Sequence, residues 1–440
     1  MESFKNNLII DKINLLKKSS FFFIFFSFIF LTRLIYVNYS FSDYPWFFEW
    51  EIGPYLIEIK NSDYSFLNEY SISANNQFAI FTKFLYLVVF KTFGNYWHPI
   101  SFAIVSQLVN SIYLSLFVTF LFHNKFKSIS VVIFIFIFVS IPHSLTTYYH
   151  FSEIGYYFQI LIPIVAFYLF SEEKKLITQI LLLSIIFIAN FLNMEMAALI
   201  LQYSLMFFFL FKFIIYNKKK HLFLFVYCIF LLCVHYFLIY KTFFGPALYD
   251  GSNTIEKDFF RSLYLLFIKS PFSPLSFTLL IGFTSIIFFY EIIIKQKNYK
   301  FNNLEFIILP LIFVSISIIA ISFNRIQIYD RYRDLYALGG ILSIFFLNYL
   351  DLNKYKIQRI CLVFLISVFL INNEIRFFIK LNEHKELSFV YDNEIRKQIN
   401  FINSDKNYKI STVSNNKIVK EVLNRYGSII KLSVANKIIE

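Results

Sequence analysis

The sequence has few charged residues, little glycine or proline and almost no cysteine. Only 16% of the 440 residues are charged, and the chain contains 9 Gly, 9 Pro and 3 Cys. A disordered chain, a collagen-like repeat and a disulfide-stapled secreted domain each require one of these residue classes in quantity, so all three classes are excluded. Cys228, Cys233 and Cys361 lie inside apolar runs, where we expect them to pack or to face lipid.

The short motifs of the common soluble enzymes are also missing. The chain contains no GxGxxG, Walker A, HExxH, GxSxG or CxxC motif. These motifs would have indicated nucleotide binding, zinc hydrolysis, a serine nucleophile or thiol redox chemistry. Any chemistry therefore has to use scattered polar side chains.

Apolar side chains are abundant instead. Hydrophobic residues make up 58% of the chain, including 62 Phe and 31 Tyr, against about 45–50% in soluble domains. A membrane-spanning helix needs about 20 mostly apolar residues. We therefore predict an all-α polytopic membrane protein with about eleven transmembrane helices. The predicted spans are 20–38, 99–122, 129–143, 156–170, 176–191, 195–215, 222–243, 271–294, 305–323, 336–350 and 359–376.

The segment 77–93 decides the topology. It carries Lys83 and Lys91 two turns apart on one face, which is typical of a helix lying in the membrane interface. If it crossed, the lysines of 218–220 would face outward, against the positive-inside rule. We therefore place the N-terminus in the cytoplasm and the C-terminus outside, in the plasma membrane of what the composition suggests is a bacterium. Much of the net charge of +13 is then explained by the lysines and arginines of the cytoplasmic loops. We therefore do not predict binding to nucleic acid.

Two segments outside the predicted spans are longer than a loop that only connects two helices. The first is the outer loop 39–98, which follows span 1 and ends in the interfacial helix. The second is the polar tail 377–440, which we predict to be a small extracytoplasmic α/β-like domain beside the membrane domain 1–376. Its predicted extended stretches are Tyr408–Val413 and Ser428–Val434, and its predicted helical stretches are Asp392–Ile402 and Asn416–Arg425.

The candidate catalytic carboxylates lie in the outer segments. Asp43, Glu49 and Glu51 follow span 1 among Trp46, Phe47 and Trp50. We expect Asp43 about one turn beyond the span, so that a carboxylate at the membrane surface acts as a general base. The alternative is that these acids solubilise the loop beside an aromatic interfacial belt.

Further candidates follow spans 3 and 5. His150 and Glu153 stand at the mouth of span 4, where they either contact the loop 1 site or, with His143, bind a metal. We favour the contact, and the sequence predicts no metal and no other cofactor. Glu195 begins span 6 directly after span 5, where a carboxylate needs a partner, a water-filled cavity or the outer interface.

Three arginines in the outer loop 324–335 oppose the positive-inside trend. Arg325, Arg331 and Arg333, with Tyr332 among them, are candidates for binding a phosphate, because guanidinium binds phosphate with planar, multidentate geometry. The alternative is internal pairing with Asp330 and Asp334.

This arrangement resembles the GT-C superfamily of membrane glycosyltransferases, in particular the protein O-mannosyltransferases and their bacterial lipid-sugar-dependent relatives. Asp43 matches the family's catalytic base after span 1, and Glu153 matches the acid at the start of span 4. Asp330–Tyr336 resembles a late Arg-Tyr loop, and Phe90–Asn95 resembles the apolar stretch before span 2. The chain departs from the family by having Asn75-Asn76-Gln77 in place of His-Pro-Pro and by lacking an Asp-Glu pair after span 1.

The resemblance implies inverting transfer of a sugar from a polyprenyl-phosphate donor to a glycan, lipid or protein acceptor at the outer face. Two alternatives are open. An O-antigen polymerase or ligase also has many spans and arginine-bearing outer loops. A glycolipid flippase or transporter would place several charged residues in mid-span.

Overall fold

A computed structural model describes the chain in segments. The described residues are 2–45, 50, 52–61, 80–124, 131–132, 135, 156–171, 174–193, 195–243, 308–313, 315–316, 356–404 and 416–439. Across these segments every regular element is a helix and no strand occurs, so the predicted helical class is confirmed. The helices are α1 Glu2–Ser40, α2 Gly53–Asn61, α3 Ile80–Thr92, α4 Pro99–His123, α5 Tyr156–Ser171, α6 Leu176–Asn193, α7 Glu195–Tyr216, α8 Lys219–Phe243, α9 Lys356–Ser404 and α10 Lys417–Ala435.

Four of these helices are long and apolar enough to cross a membrane. The apolar segments are Ser20–Tyr39, Pro99–His123, Leu199–Tyr216 and Lys219–Phe237, and Leu161–Phe170 and Leu176–Ala189 are shorter apolar helices. These segments support the predicted membrane-protein class. The predicted spans 271–294 and 336–350 and most of 129–143 and 305–323 lie outside the described residues.

The apolar helices pack into one core. Aromatic and aliphatic side chains of α1, α4, α5, α6, α7 and α8 fill it, as where Phe170 of α5 lies against Phe209 of α7 with ring centroids 5.6 Å apart. Other large apolar side chains on the same helices are exposed, for example Ile177, Ile214 and Phe237. Contiguous apolar surface is unfavourable in water, so these outward faces are suited to lipid.

Two lysine-bearing connections between the apolar helices meet at one end of this bundle. Phe21 packs on Phe122 with ring centroids 4.6 Å apart, which aligns the start of the apolar part of α1 with the end of α4. Lys220 at the start of α8 donates a hydrogen bond to the carbonyl of Lys174 ahead of α6. The lysine-bearing connections at 174–175 and 217–220 are therefore neighbours.

A second core forms at the opposite end. It joins α2, α3 and the start of α4 to the last part of α9 and to α10, and we call these elements, with residues 41–45, 50 and 96–98, the loop–tail module. Trp50, Trp97, Tyr391 and Tyr426 are among its buried aromatic side chains. The loop after span 1 and the C-terminal tail thus share one hydrophobic core.

The α/β-like character predicted for the tail is not found in its described part. Residues 428–434, predicted to be extended, lie inside α10, so that prediction was wrong. The buried residues Val419, Val422, Tyr426 and Ile430 recur at three- and four-residue intervals, which is the period of a helix packed on one face. The predicted helical stretches 392–402 and 416–425 are confirmed, apart from Asn416, and 408–413 lies outside the described residues.

The backbone does not change at the predicted domain boundary between residues 376 and 377. Helix α9 runs through this point without a break from Lys356 to Ser404. The shift from apolar to polar composition is therefore a change of surroundings along a single helix.

The helix predicted within 77–93 is present as α3, whose two lysines differ in environment. Lys91 is exposed, whereas Lys83 is buried, so the two lysines do not share one exposed face. The position of this helix in the membrane interface stays a prediction. Lys83 lies on the face of α3 that packs in the module, because its carbonyl accepts a hydrogen bond from the Tyr55 hydroxyl of α2 at 3.2 Å.

Candidate functional site

Asp43 lies in the short irregular segment that leaves α1. Its carboxylate oxygen Oδ2 accepts a hydrogen bond from Nη2 of Arg396 in α9 at 2.8 Å. Both side chains are accessible, with 58% of Asp43 and 53% of Arg396 exposed. The predicted catalytic carboxylate is therefore open to solvent and paired with a cation from the far end of the sequence.

Asp392 binds the same segment from one helical turn before Arg396. Its Oδ1 accepts a hydrogen bond from the Ser42 hydroxyl at 2.7 Å, and its Oδ2 accepts one from the Asp43 backbone N–H at 2.9 Å. Residues four apart lie on one face of a helix. One face of α9 thus contacts both the backbone and the side chain of Asp43.

The two charged groups of α9 differ in their electrostatic surroundings. Burial raises the pKa of Asp392, and the hydrogen bond from Ser42 and then that from the Asp43 N–H partly oppose this shift. A hydrogen bond with the Tyr44 side chain raises the pKa of Arg396, and Asp43 adds to that shift. The cluster therefore combines a half-buried carboxylate with an exposed ion pair.

Buried aromatic side chains pack beside residues 41–45 and bind their backbone. Trp50 donates from Nε1 to the Tyr391 hydroxyl at 2.7 Å, and that hydroxyl donates to the carbonyl of Pro45 at 2.6 Å. The Trp50 ring also packs edge-on against Trp97, with centroids 5.5 Å apart. Trp50 is fully buried in the loop–tail module, so it is not part of a lipid-facing aromatic belt.

Asp43 closely follows the apolar part of α1. The apolar segment ends at Tyr39 and the helix ends at Ser40, so Asp43 is three residues beyond the helix. At the end of α1, the Tyr39 hydroxyl donates to Asn382 Oδ1 at 2.6 Å, and Asp392, which contacts Asp43, is ten residues farther along α9. The position of Asp43 about one turn beyond the span stays a prediction.

Most other predicted site residues lie in segments that the structure does not describe. Glu195 is the first residue of α7, directly beyond the end of α6. The remaining candidates lie outside the described residues: Glu49, Glu51, His150, Glu153, Arg325, Arg331, Tyr332 and Arg333.

Sequence reasoning missed Asp392 and Arg396. Their four-residue spacing places them on one helical face, but local sequence does not indicate which distant segment that face meets. Within the described segments, no group of three His, Cys, Asp or Glu side chains is arranged to hold a metal ion.

Comparison with known proteins assigns no family. No protein-family model, curated protein or solved structure matches this chain.

Proposed function

We propose that the protein is a membrane glycosyltransferase that moves a sugar from a polyprenyl-phosphate carrier to an acceptor at the outer face of a bacterial plasma membrane. The observation that supports this proposal is the exposed Asp43 carboxylate just beyond the first apolar helix, held by α9. A general base acts on the acceptor hydroxyl, and the acceptor arrives from water. An exposed position just beyond the span suits that role.

The mechanism in this proposal is inverting. The Asp43 carboxylate accepts the proton of the acceptor hydroxyl as its oxygen attacks the anomeric carbon. The bond from that carbon to the phosphate oxygen breaks, and the carrier leaves as a polyprenyl phosphate. Arg325, Arg331 and Arg333 are proposed to stabilise the departing phosphate, since preorganised donors are most effective where charge develops.

The packing of the loop–tail module supports the proposed topology. Described residues within 44–59 and 391–439 share one core, and segments that share a core lie on the same side of the membrane. With α3 in the interface, ten of the eleven proposed spans separate these two segments, and an even number returns the chain to the same side. If α3 also crossed, the two segments would lie on opposite sides.

Transfer by the purified protein in proteoliposomes tests the proposal. With radiolabelled polyprenyl-phosphate sugars as donors, we expect label to pass to a glycan or lipid acceptor from envelope extract. Asp43→Asn should lower the transfer rate by about a hundredfold or more, because the base is lost. Glu394→Gln on α9 is the matched control and should keep the wild-type rate. Full transfer by Asp43→Asn would contradict the role given to Asp43.

One observation favours a second candidate, a glycolipid transporter. Arg33 lies within the apolar part of α1, is fully buried, and donates from Nε to Gln107 Oε1 of α4 at 2.6 Å. Buried cations in membrane spans often line substrate paths. Movement of a fluorescent glycolipid across the proteoliposome bilayer without sugar transfer would select this candidate.

A further inference from the structure

The residues around Asp43 depend on other parts of the fold for their hydrogen-bond partners. Residues 41–45 are irregular, so their polar groups need partners from elsewhere in the fold. Asp392 supplies two of them, to the Ser42 hydroxyl at 2.7 Å and to the Asp43 N–H at 2.9 Å. A single carboxylate therefore fixes two consecutive residues.

Asp392 and Arg396 act on different parts of Asp43. Arg396 contacts the Asp43 carboxylate through an exposed ion pair. Exposed ion pairs contribute little to stability, so another partner can replace one of the two side chains. Asp392 is half-buried and holds the segment through two hydrogen bonds, a partly buried one from the Ser42 hydroxyl and an exposed one from the Asp43 N–H. An acceptor can thus displace Arg396 from Asp43 while the backbone of Asp43 stays in place.

We propose that Asp392 is a positioning residue of this site, which holds the Ser42–Asp43 backbone so that the Asp43 carboxylate meets the acceptor hydroxyl. This inference rests on the proposed function. The charged and titratable neighbours of Asp392 are Asp43, whose charge opposes its ionisation, and Arg396, with Tyr44 on the same segment.

Asp392→Leu separates positioning from structural support. Leucine is close to aspartate in size and accepts no hydrogen bond, so the Ser42 hydroxyl and the Asp43 N–H both lose this partner. We expect the turnover number to fall roughly tenfold to a hundredfold, as for a small misplacement of a catalytic group, with the acceptor KM little changed. The melting temperature should be unchanged or higher, because a half-buried charge is removed.

Amide hydrogen exchange measures the positioning directly. In the full-length protein in nanodiscs, a peptide covering residues 41–45 should exchange faster in Asp392→Leu than in the wild type. Glu394→Gln on the same helix, whose carboxylate pairs with Lys397 at 3.1 Å, should leave both exchange and turnover unchanged.

Two results would overturn the inference. One is unchanged turnover and exchange in Asp392→Leu, and the other is a loss of turnover that follows a matching loss of melting temperature. Absence of transfer in the wild type contradicts the proposed function instead, and the exchange rate of 41–45 then decides alone whether Asp392 holds this segment.

Discussion

At the scale of single residues, Gly53 shows how closely α2 approaches α10. A Cβ atom built on Gly53 would lie 2.8 Å from Ile429 Cγ2 and 3.1 Å from Ser433 Oγ. Gly53→Ala should therefore lower the free energy of unfolding by about 1–3 kcal/mol through overpacking. Denaturant unfolding in mixed micelles measures the change.

A double-mutant cycle identifies the cause of that loss. Ile429→Ala removes the methyl group that the new Cβ would meet, so it should cost less in the Gly53→Ala background than in the wild type. Strictly additive effects of the two substitutions would show that the close approach does not limit the size of residue 53.

Asp392 gives the site a defined pH dependence. Because burial raises its pKa in the folded protein, the stabilising contribution of Asp392 is fully present below the unfolded value of about 3.9. This contribution is lost as the pH rises through the higher folded pKa. The stability of the wild type relative to Asp392→Asn should thus fall with rising pH across that acidic window. A difference that stays constant across the window would contradict the shifted pKa.

At the scale of elements, Lys60 of α2 caps the C-terminal end of α10. Its Nζ donates to the carbonyls of Asn436 and Lys437, both at 2.9 Å. A cation near a helix C-terminus also interacts favourably with the helix dipole. Lys60→Met should cost about 1 kcal/mol and increase amide exchange over residues 430–439. Lys420 is exposed on α10, so Lys420→Met is the control. Equal effects of the two substitutions would contradict the capping role of Lys60.

Elements of membrane length were predictable from sequence, but the tail was not. The expected span 99–122 closely matches α4 at Pro99–His123. A long apolar run that begins at a proline has few possible structures other than a helix that starts there. The segment 428–434 was misread because its short run of alternating apolar and polar residues is compatible with a strand when seen alone. The longer pattern from Val419 onwards has the period of a helix.

At the scale of the whole molecule, the loop after α1 and the C-terminal tail carry opposite net charge. Residues 39–76 carry six acidic residues and one lysine, whereas residues 377–440 carry eleven Lys and Arg against seven acidic residues. The site itself was only half predictable. Asp43 was identified from its position after the first span, but Asp392 is 349 positions away in sequence, and only the packing of α9 on the loop brings them together.

The central claim is that the loop after α1 and the C-terminal helices form one module on the outer face of the membrane. Labelling of single cysteines in intact cells with a membrane-impermeant maleimide tests it, on a background in which Cys228, Cys233 and Cys361 are replaced. Exposed Asn61 and Asn424 represent the loop and the tail, and exposed Asn217 represents the opposite end of the bundle. We predict that Asn61→Cys and Asn424→Cys label in intact cells and that Asn217→Cys labels only after permeabilisation. Labelling of Asn61→Cys and Asn424→Cys from opposite faces would contradict the account.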